Sequence, residues 1–137
     1  MKYLLDTNIV AYIIKKRPIE VLHKLQSLDW TEIAISSIVV AELWYGVERS
    51  QLKEQNRTAL EAFLKPFTIL DFDSRAAEQY ASVRADLEGK GKVIGANDLL
   101  ISAHALSHGL ILVTNNVKEF ERVGGLEIEN WITNELH

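Results

Sequence analysis

The chain has no cysteine and only two prolines among its 137 residues. Without thiols there is no disulfide, no cysteine nucleophile and no zinc site built on thiolates, which fits a reducing compartment. Two prolines and seven glycines leave little material for a disordered linker. No apolar run approaches the roughly 20 residues that span a bilayer, and the opening MKYLLDTN reaches an aspartate too early for a signal peptide. A cytoplasmic protein that does not enter a membrane is the expectation. Positive charge is also in short supply: nineteen acidic residues against fifteen basic ones give a net charge of −4. The field of the whole molecule therefore does not attract nucleic acid, and any such contact must rest on local basic patches or a bound cation. What is present is ordinary globular composition, 47% hydrophobic and 25% charged, at a length that suits one domain over 1–137.

Short apolar runs alternate with segments of helical period. KYLL (2–5) is followed by Asp6, Thr7 and Asn8, residues that cap a helix carrying Ile9, Val10, Ile13 and Ile14. Pro18 opens a second helix with Val21, Leu22, Leu25 and Leu28 on one face. EIAI (32–35) reads as a strand, with Ser36 or Ser37 capping a helix that ends near Gly46 or a little beyond. A polar helix from about Gln51 stops at Leu64, before the strand FTIL (67–70). Asp73 or Ser74 then caps a helix that EGKGK breaks. Asn97 is expected to cap DLLISAHALSH, which Gly109 terminates. LILV (110–113), a helical turn near Val117 to Arg122, and LEIENW (126–131) complete the pattern. Such alternation predicts an α/β fold, with a mainly parallel sheet covered by helices on both faces and a ligand crevice at the carboxyl ends of its strands.

Four acids draw attention to that crevice. Asp6 directly follows the first strand, Asp98 begins the helix that leads into the fourth, and Glu119 follows the fourth. Glu42 sits among Ile38, Val39, Val40, Ala41, Leu43, Trp44, Tyr45 and Val47, in a helix apolar on every side and so expected to be buried. A carboxylate there needs a partner, and Lys24 is the only cation from position 18 to 48. Each acid also has a plain structural reading: Asp6 as a cap, Asp98 as a dipole-favoured residue, Glu42 in an ion pair with a distant arginine, and Glu119 as a solvated surface group. If the four converge, each pair of charges about 4 Å apart repels by about 4 kcal/mol at an effective dielectric of about 20. A hard divalent cation such as Mg²⁺ or Mn²⁺ relieves that conflict, and its chemistry is that of phosphate-ester cleavage.

Other constellations carry less. GKGKVIG (89–95) lacks the spacing and the preceding strand of a phosphate-binding P-loop and reads as a basic loop beside Asp98. There is no G-x-S-x-G. His104 and His108 stand at i, i+4 without the H-E-x-x-H pattern, which favours packing or surface roles; His23 and His137 look incidental. Trp44, Tyr45 and Trp131 read as core or interface residues.

YLLDTNIVAYI, SSIVVAELWYGVERS, IGANDLLISAHALSHGLILVTNN and EFERVGGLEIENW, in that order along the whole chain, resemble the PIN-domain toxin ribonucleases of bacterial toxin–antitoxin pairs, the VapC family. The resemblance implies a PIN-like α/β fold with a five-stranded, mainly parallel sheet flanked by helices. It implies an endoribonuclease dependent on Mg²⁺ or Mn²⁺, and some members of the family cut initiator tRNA. By match to the family's motifs, Asp6, Glu42 and Asp98 are the catalytic acids, with Asp6 and Asp98 holding the metal. Many PIN domains carry a fourth acid where VTNN places Asn116; Glu119, one helical turn later, is the candidate to replace it. Thr7, Asn8, Thr114 and Asn116 are supporting residues. A cognate VapB-like antitoxin and homodimerisation are also implied. Lys15, Lys16, Arg17, Lys90 and Lys92 are candidates for RNA contact. The competing reading is a catalytically silent interaction protein with an acidic crevice. A receiver-like phospho-acceptor fits less well, since Asp6-Thr7-Asn8 offers one acid where such proteins pair two.

Overall fold

The computed structural model describes residues 1–132; His137 lies outside the described residues. Five strands alternate with helices: β1 (Tyr3–Leu5), α1 (Thr7–Lys15), α2 (Ile19–Gln26), β2 (Ile33–Ser36), α3 (Ser37–Arg49), α4 (Lys53–Leu64), β3 (Thr68–Leu70), α5 (Ser74–Gly89), α6 (Ala96–His108), β4 (Ile111–Val113), α7 (Val117–Phe120) and β5 (Ile128–Glu129). Every strand pair is parallel, in the order β3-β2-β1-β4-β5. All residues of β1 and β2 are buried, as expected of central strands covered on both faces. Leu4, Leu5, Ile33, Ile35 and Leu112 are wholly inaccessible, each stabilising the fold by about 1.5–3 kcal/mol relative to an exposed position.

The chain moves outward on one side from β1 through β2 to β3, then returns to the other side of β1 to lay down β4. With right-handed crossovers, this reversal puts α5 and α6 across the sheet from the earlier helices. It also makes the carboxyl ends of β1 and β4 a topological switch point, the position where open α/β sheets bind ligands. Register fixes the two ends together: Leu5 is opposite Val113, and the Asp6 amide donates to the Val113 carbonyl at 3.0 Å.

Two local expectations are corrected. Asn97 does not cap α6; Gly95 is the N-cap residue, and α6 starts one residue before Asn97. Helix α3 is not buried on every side. Only Val39 and Val47 are buried, while Ala41, Tyr45 and Gly46 face solvent, because one stripe of the helix packs inward and its outer side has no neighbour among the described residues. The helix also runs beyond Gly46 to Arg49. Gly109 does end α6, at φ 63°, a left-handed conformation that suits a residue without Cβ.

Candidate active site

The acids arrive from four elements. Asp6, 5% exposed, caps α1 by accepting from the Ile9 amide at 2.9 Å. Burial pushes its carboxyl up, against the opposing effect of hydrogen bonds from Thr114 and the Ile9 amide. Thr114, wholly buried at the end of β4, thus joins the two central strand ends through its side chain.

Glu42 is half-buried in α3 and its partners are neutral. Its Oε1 accepts from the Thr7 hydroxyl at 2.6 Å, and its Oε2 accepts from the Asn97 side-chain amide at 2.9 Å. The cationic partner expected for it is absent among the described residues, and Lys24 instead lies 3.9 Å from Glu129. Asn97 is the site residue that sequence reading missed. Its position beside Asp98 was the one available signal, and its polar side chain at a helix start was fully explained as a cap.

Asp98 lies in the first turn of α6, where the helix dipole favours a negative charge by about 0.3–1 kcal/mol. The surroundings overwhelm that preference. Burial first, then the charge of Glu119, a side-chain hydrogen bond with Glu119, and the charges of Asp6 and Glu42 push its carboxyl from 3.8 up to about 7. Glu119 is held the other way: the Gly95 amide donates to Oε1 at 2.7 Å and the Asn116 side chain to Oε2 at 2.8 Å, which lowers its carboxyl. The two neighbouring carboxyl groups are thus displaced in opposite directions, Asp98 up and Glu119 down.

The structure therefore brings Asp6, Glu42 and Glu119 each within the field of Asp98, with Thr7, Thr114 and Asn116 as direct supports. The Asn8 side chain is exposed, and only its backbone amide reaches Asp6. Among the described residues no three histidine or carboxylate groups form a ready-made metal cage. Glu42 is tethered by Thr7 and Asn97, and Glu119 by Gly95 and Asn116. The donors nevertheless suit a hard cation: all are oxygens, and the charges around Asp98 push its carboxyl up, a repulsion that a divalent ion would relieve. Mg²⁺ typically keeps several waters and takes one or two carboxylates directly, which an open, tethered set accommodates.

The basic segments separate. Lys15, Lys16 and Arg17 are exposed at the far end of α1, about 13 Å along the helix axis from Asp6 at 1.5 Å per residue. Lys90 is paired with Asp86 at 3.0 Å. Lys92 is exposed three positions before Gly95.

The PIN domain family model matches residues 3–126. A protein of Haemophilus influenzae named Ribonuclease VapC2 is 49% identical over 132 residues, covering 96% of this chain and 99% of its own. The chain belongs to the VapC family of PIN domains. A second VapC relative, from Shigella flexneri and named tRNA(fMet)-specific endonuclease VapC, is 44% identical over 131 residues and is covered to 98%. Among solved structures, VapBC2 from Rickettsia felis, crystallised with a fragment of its promoter DNA, matches at a TM-score of 0.89 and 48% identity, over 96% of this chain and 100% of that one. The five-stranded parallel sheet and its flanking helices are thus the PIN fold, and in this VapC-family chain the acids lie at its switch point.

Away from the crevice, α6 carries a second polar constellation. His104, wholly buried, lies 2.7 Å through Nδ1 from the Ser36 hydroxyl, which also accepts from the Ile38 amide and caps α3. Among the described residues, His104 Nε2 and the Ser102 hydroxyl have no hydrogen-bond partner. Burial first, then the neighbouring His108, lowers the His104 pKa below its usual range. The ring stacks edge-on against Phe72 at 5.4 Å. Trp131 is buried and meets Tyr3 at 5.8 Å, whereas Tyr45 is 61% exposed.

Proposed function

We propose that the protein is the toxin of a toxin–antitoxin pair and an endoribonuclease that hydrolyses RNA phosphodiester bonds in a reaction dependent on Mg²⁺ or Mn²⁺. The observation that carries this reading is the convergence of the Glu119, Asp6 and Glu42 carboxyl groups on Asp98 at the switch point, which with burial pushes the Asp98 carboxyl up to about 7. Asp6 and Asp98 would hold the cation. When bound, it polarises the phosphoryl oxygen and lowers the pKa of the attacking water. Glu42, fixed by Thr7 and Asn97, orients that water and accepts its proton, and the water displaces the leaving oxygen in line. Glu119, held by Gly95 and Asn116, stands as the fourth acid in place of the residue that Asn116 replaces. The Shigella relative's name supports transfer RNA, including initiator tRNA, as substrate. A VapB-like antitoxin is supported by the complex from Rickettsia felis. An apolar groove of about 300 Å³, lined by Ile14, Leu43, Val47 and Leu60 among others, offers a protein partner a surface of suitable chemistry. We place the whole 1–137 chain in one PIN domain that acts in the cytoplasm and pairs with a second copy of itself.

The test is RNA cleavage by the purified protein with Mg²⁺, with EDTA, and after Asp6→Ala or Asp98→Ala. Cleavage should vanish on chelation and fall by about 10² or more in either variant, the scale of losing a positioned acid–base group. Cleavage that survives chelation or both substitutions would overturn the reading, leaving a silent acidic crevice.

A further inference from the structure

Beside the acids lies a second, oppositely charged cleft of about 710 Å³, lined by Gly91, Lys92, Lys118, Glu121 and Arg122. Three cations face one carboxylate there, in a chain whose net charge is −4. The cleft shares its walls with the acid site. Lys118 and Glu119 are adjacent on α7. The segment from Lys92 ends at Gly95, whose amide holds Glu119. Arg122 donates to the Val93 carbonyl at 3.3 Å, bracing that segment from the α7 side, and its charge reaches Glu119. The Lys92 and Lys118 side chains are exposed and make no hydrogen bond or ion pair with the described residues.

Screening decides which cations can guide a polyanion to the acids. At physiological salt the field of an exposed charge fades within about 8 Å. Lys15 and Lys16 stand at the far end of α1, about 13 Å or more along its axis from Asp6 at 1.5 Å per residue, and Lys90 is paired with Asp86. Only the 92/118/122 group combines adjacency to the acids with uncompensated charge. A chain of phosphates seated there would lie against the same loop that carries the amide of Gly95, with its next phosphodiester over the carboxyl groups.

We infer that the Lys92–Lys118–Arg122 cleft is the track that binds the ribose-phosphate backbone of RNA next to the scissile bond, an inference that rests on the ribonuclease reading. Lys92 and Lys118 then act in substrate binding as extended, solvated phosphate contacts, with Arg122 bracing the segment that carries Lys92. Sequence specificity comes from elsewhere, because phosphate contacts position a nucleic acid without reading its bases.

The experiment measures binding of a short fluorescein-labelled RNA stem–loop by anisotropy in EDTA, across a salt series, for the full chain and two double variants. Lys92→Gln with Lys118→Gln should weaken binding at least tenfold at low salt. It should also make the dependence of log affinity on log salt shallower by about 1.4, since each single-strand phosphate contact contributes about 0.7. Lys15→Gln with Lys16→Gln should bind within twofold of the parent with an unchanged slope. Parent-like affinity and slope in the Lys92/Lys118 variant, or the loss appearing in the Lys15/Lys16 variant, would overturn the inference. In parallel, the parent protein is assayed for Mg²⁺-dependent cleavage of the same RNA. Cleavage with parent-like binding in the Lys92/Lys118 variant removes the cleft alone; neither cleavage nor binding by the parent removes the ribonuclease reading together with it.

Discussion

Helix α6 presents two polar residues to two different environments. At its first turn, Asp98 faces Asp6, Glu42 and Glu119 in an open crevice, with more negative charge than the local donors offset. Two turns later, His104 is sealed from solvent against Ser36 and Phe72, uncharged and joined to the first turn of α3. Both groups are displaced from their usual titration ranges, and burial is the first cause in each. What differs is the company. Around His104 no opposite charge is wanted, because the ring meets burial by staying neutral. Around Asp98 the proton stands in for a missing positive charge. The contrast separates a group that holds the fold together from one left unbalanced for chemistry.

Breaking the acid side should give the largest effect. Glu42→Gln can retain both contacts, since the new amide accepts from Asn97 and donates to the Thr7 hydroxyl, which works in either direction. Urea unfolding in metal-free buffer should therefore shift by less than about 1 kcal/mol, while RNA cleavage falls by about 10² to 10⁴. A large loss of stability with no loss of cleavage would place Glu42 with the structural groups.

On the imidazole side the signs reverse. His104→Ala should cost about 2–4 kcal/mol in urea unfolding, from the cavity and from the Ser36 hydroxyl that loses its partner. Below its melting temperature the variant should still cut RNA at close to the parent rate. Ser36→Ala should cost less, about 1–2 kcal/mol, through the lost cap of α3.

A drift of melting temperature with pH reads both sides at once. Asp98 titrates near 7 when folded and near 3.8 when unfolded, so between those values the folded protein binds the extra proton. In EDTA its contribution lowers stability as pH rises from about 4 to about 7. His104 is depressed below its unfolded 6.5, so its contribution raises stability as pH rises toward 6.5. Asp98→Asn should remove the Asp98 share of the fall, leaving the share of the raised Asp6 carboxyl and the rise from His104. Added Mn²⁺ should also offset the fall in the parent and have little effect in the variant. Identical profiles for parent and variant in EDTA would mean that the Asp98 carboxyl is not raised.

The sequence made the layered order of the fold readable because its strands are short apolar runs and its helices keep their period. It also pointed to Asp6 at the crevice by its place after a strand, whereas spacing alone did not bring Asp98 or Glu42 beside it. The partners of Glu42 were not readable. Thr7 lies 35 residues away and Asn97 lies 55 away, and neutral donors leave no charge pattern in a sequence. The apolar surround of Glu42 misled for a related reason: Tyr45 and Ala41 are exposed, and composition does not say which side of a helix lacks a neighbour. Glu119 could be named only as a candidate, since its link to Gly95 depends on how a loop and a four-residue helix meet.

The strand order has a consequence for synthesis. The acids run from position 6 to position 119, and β4, emerging after α6, both flanks β1 and supplies the Thr114 that steadies Asp6. A chain still on the ribosome and lacking its last fifth therefore has Asp6, Glu42 and Asp98 but neither the strand that aligns them nor the fourth carboxylate. Such a nascent chain cannot assemble the site. The site is thus completed only after β4 and α7 have been added to the chain.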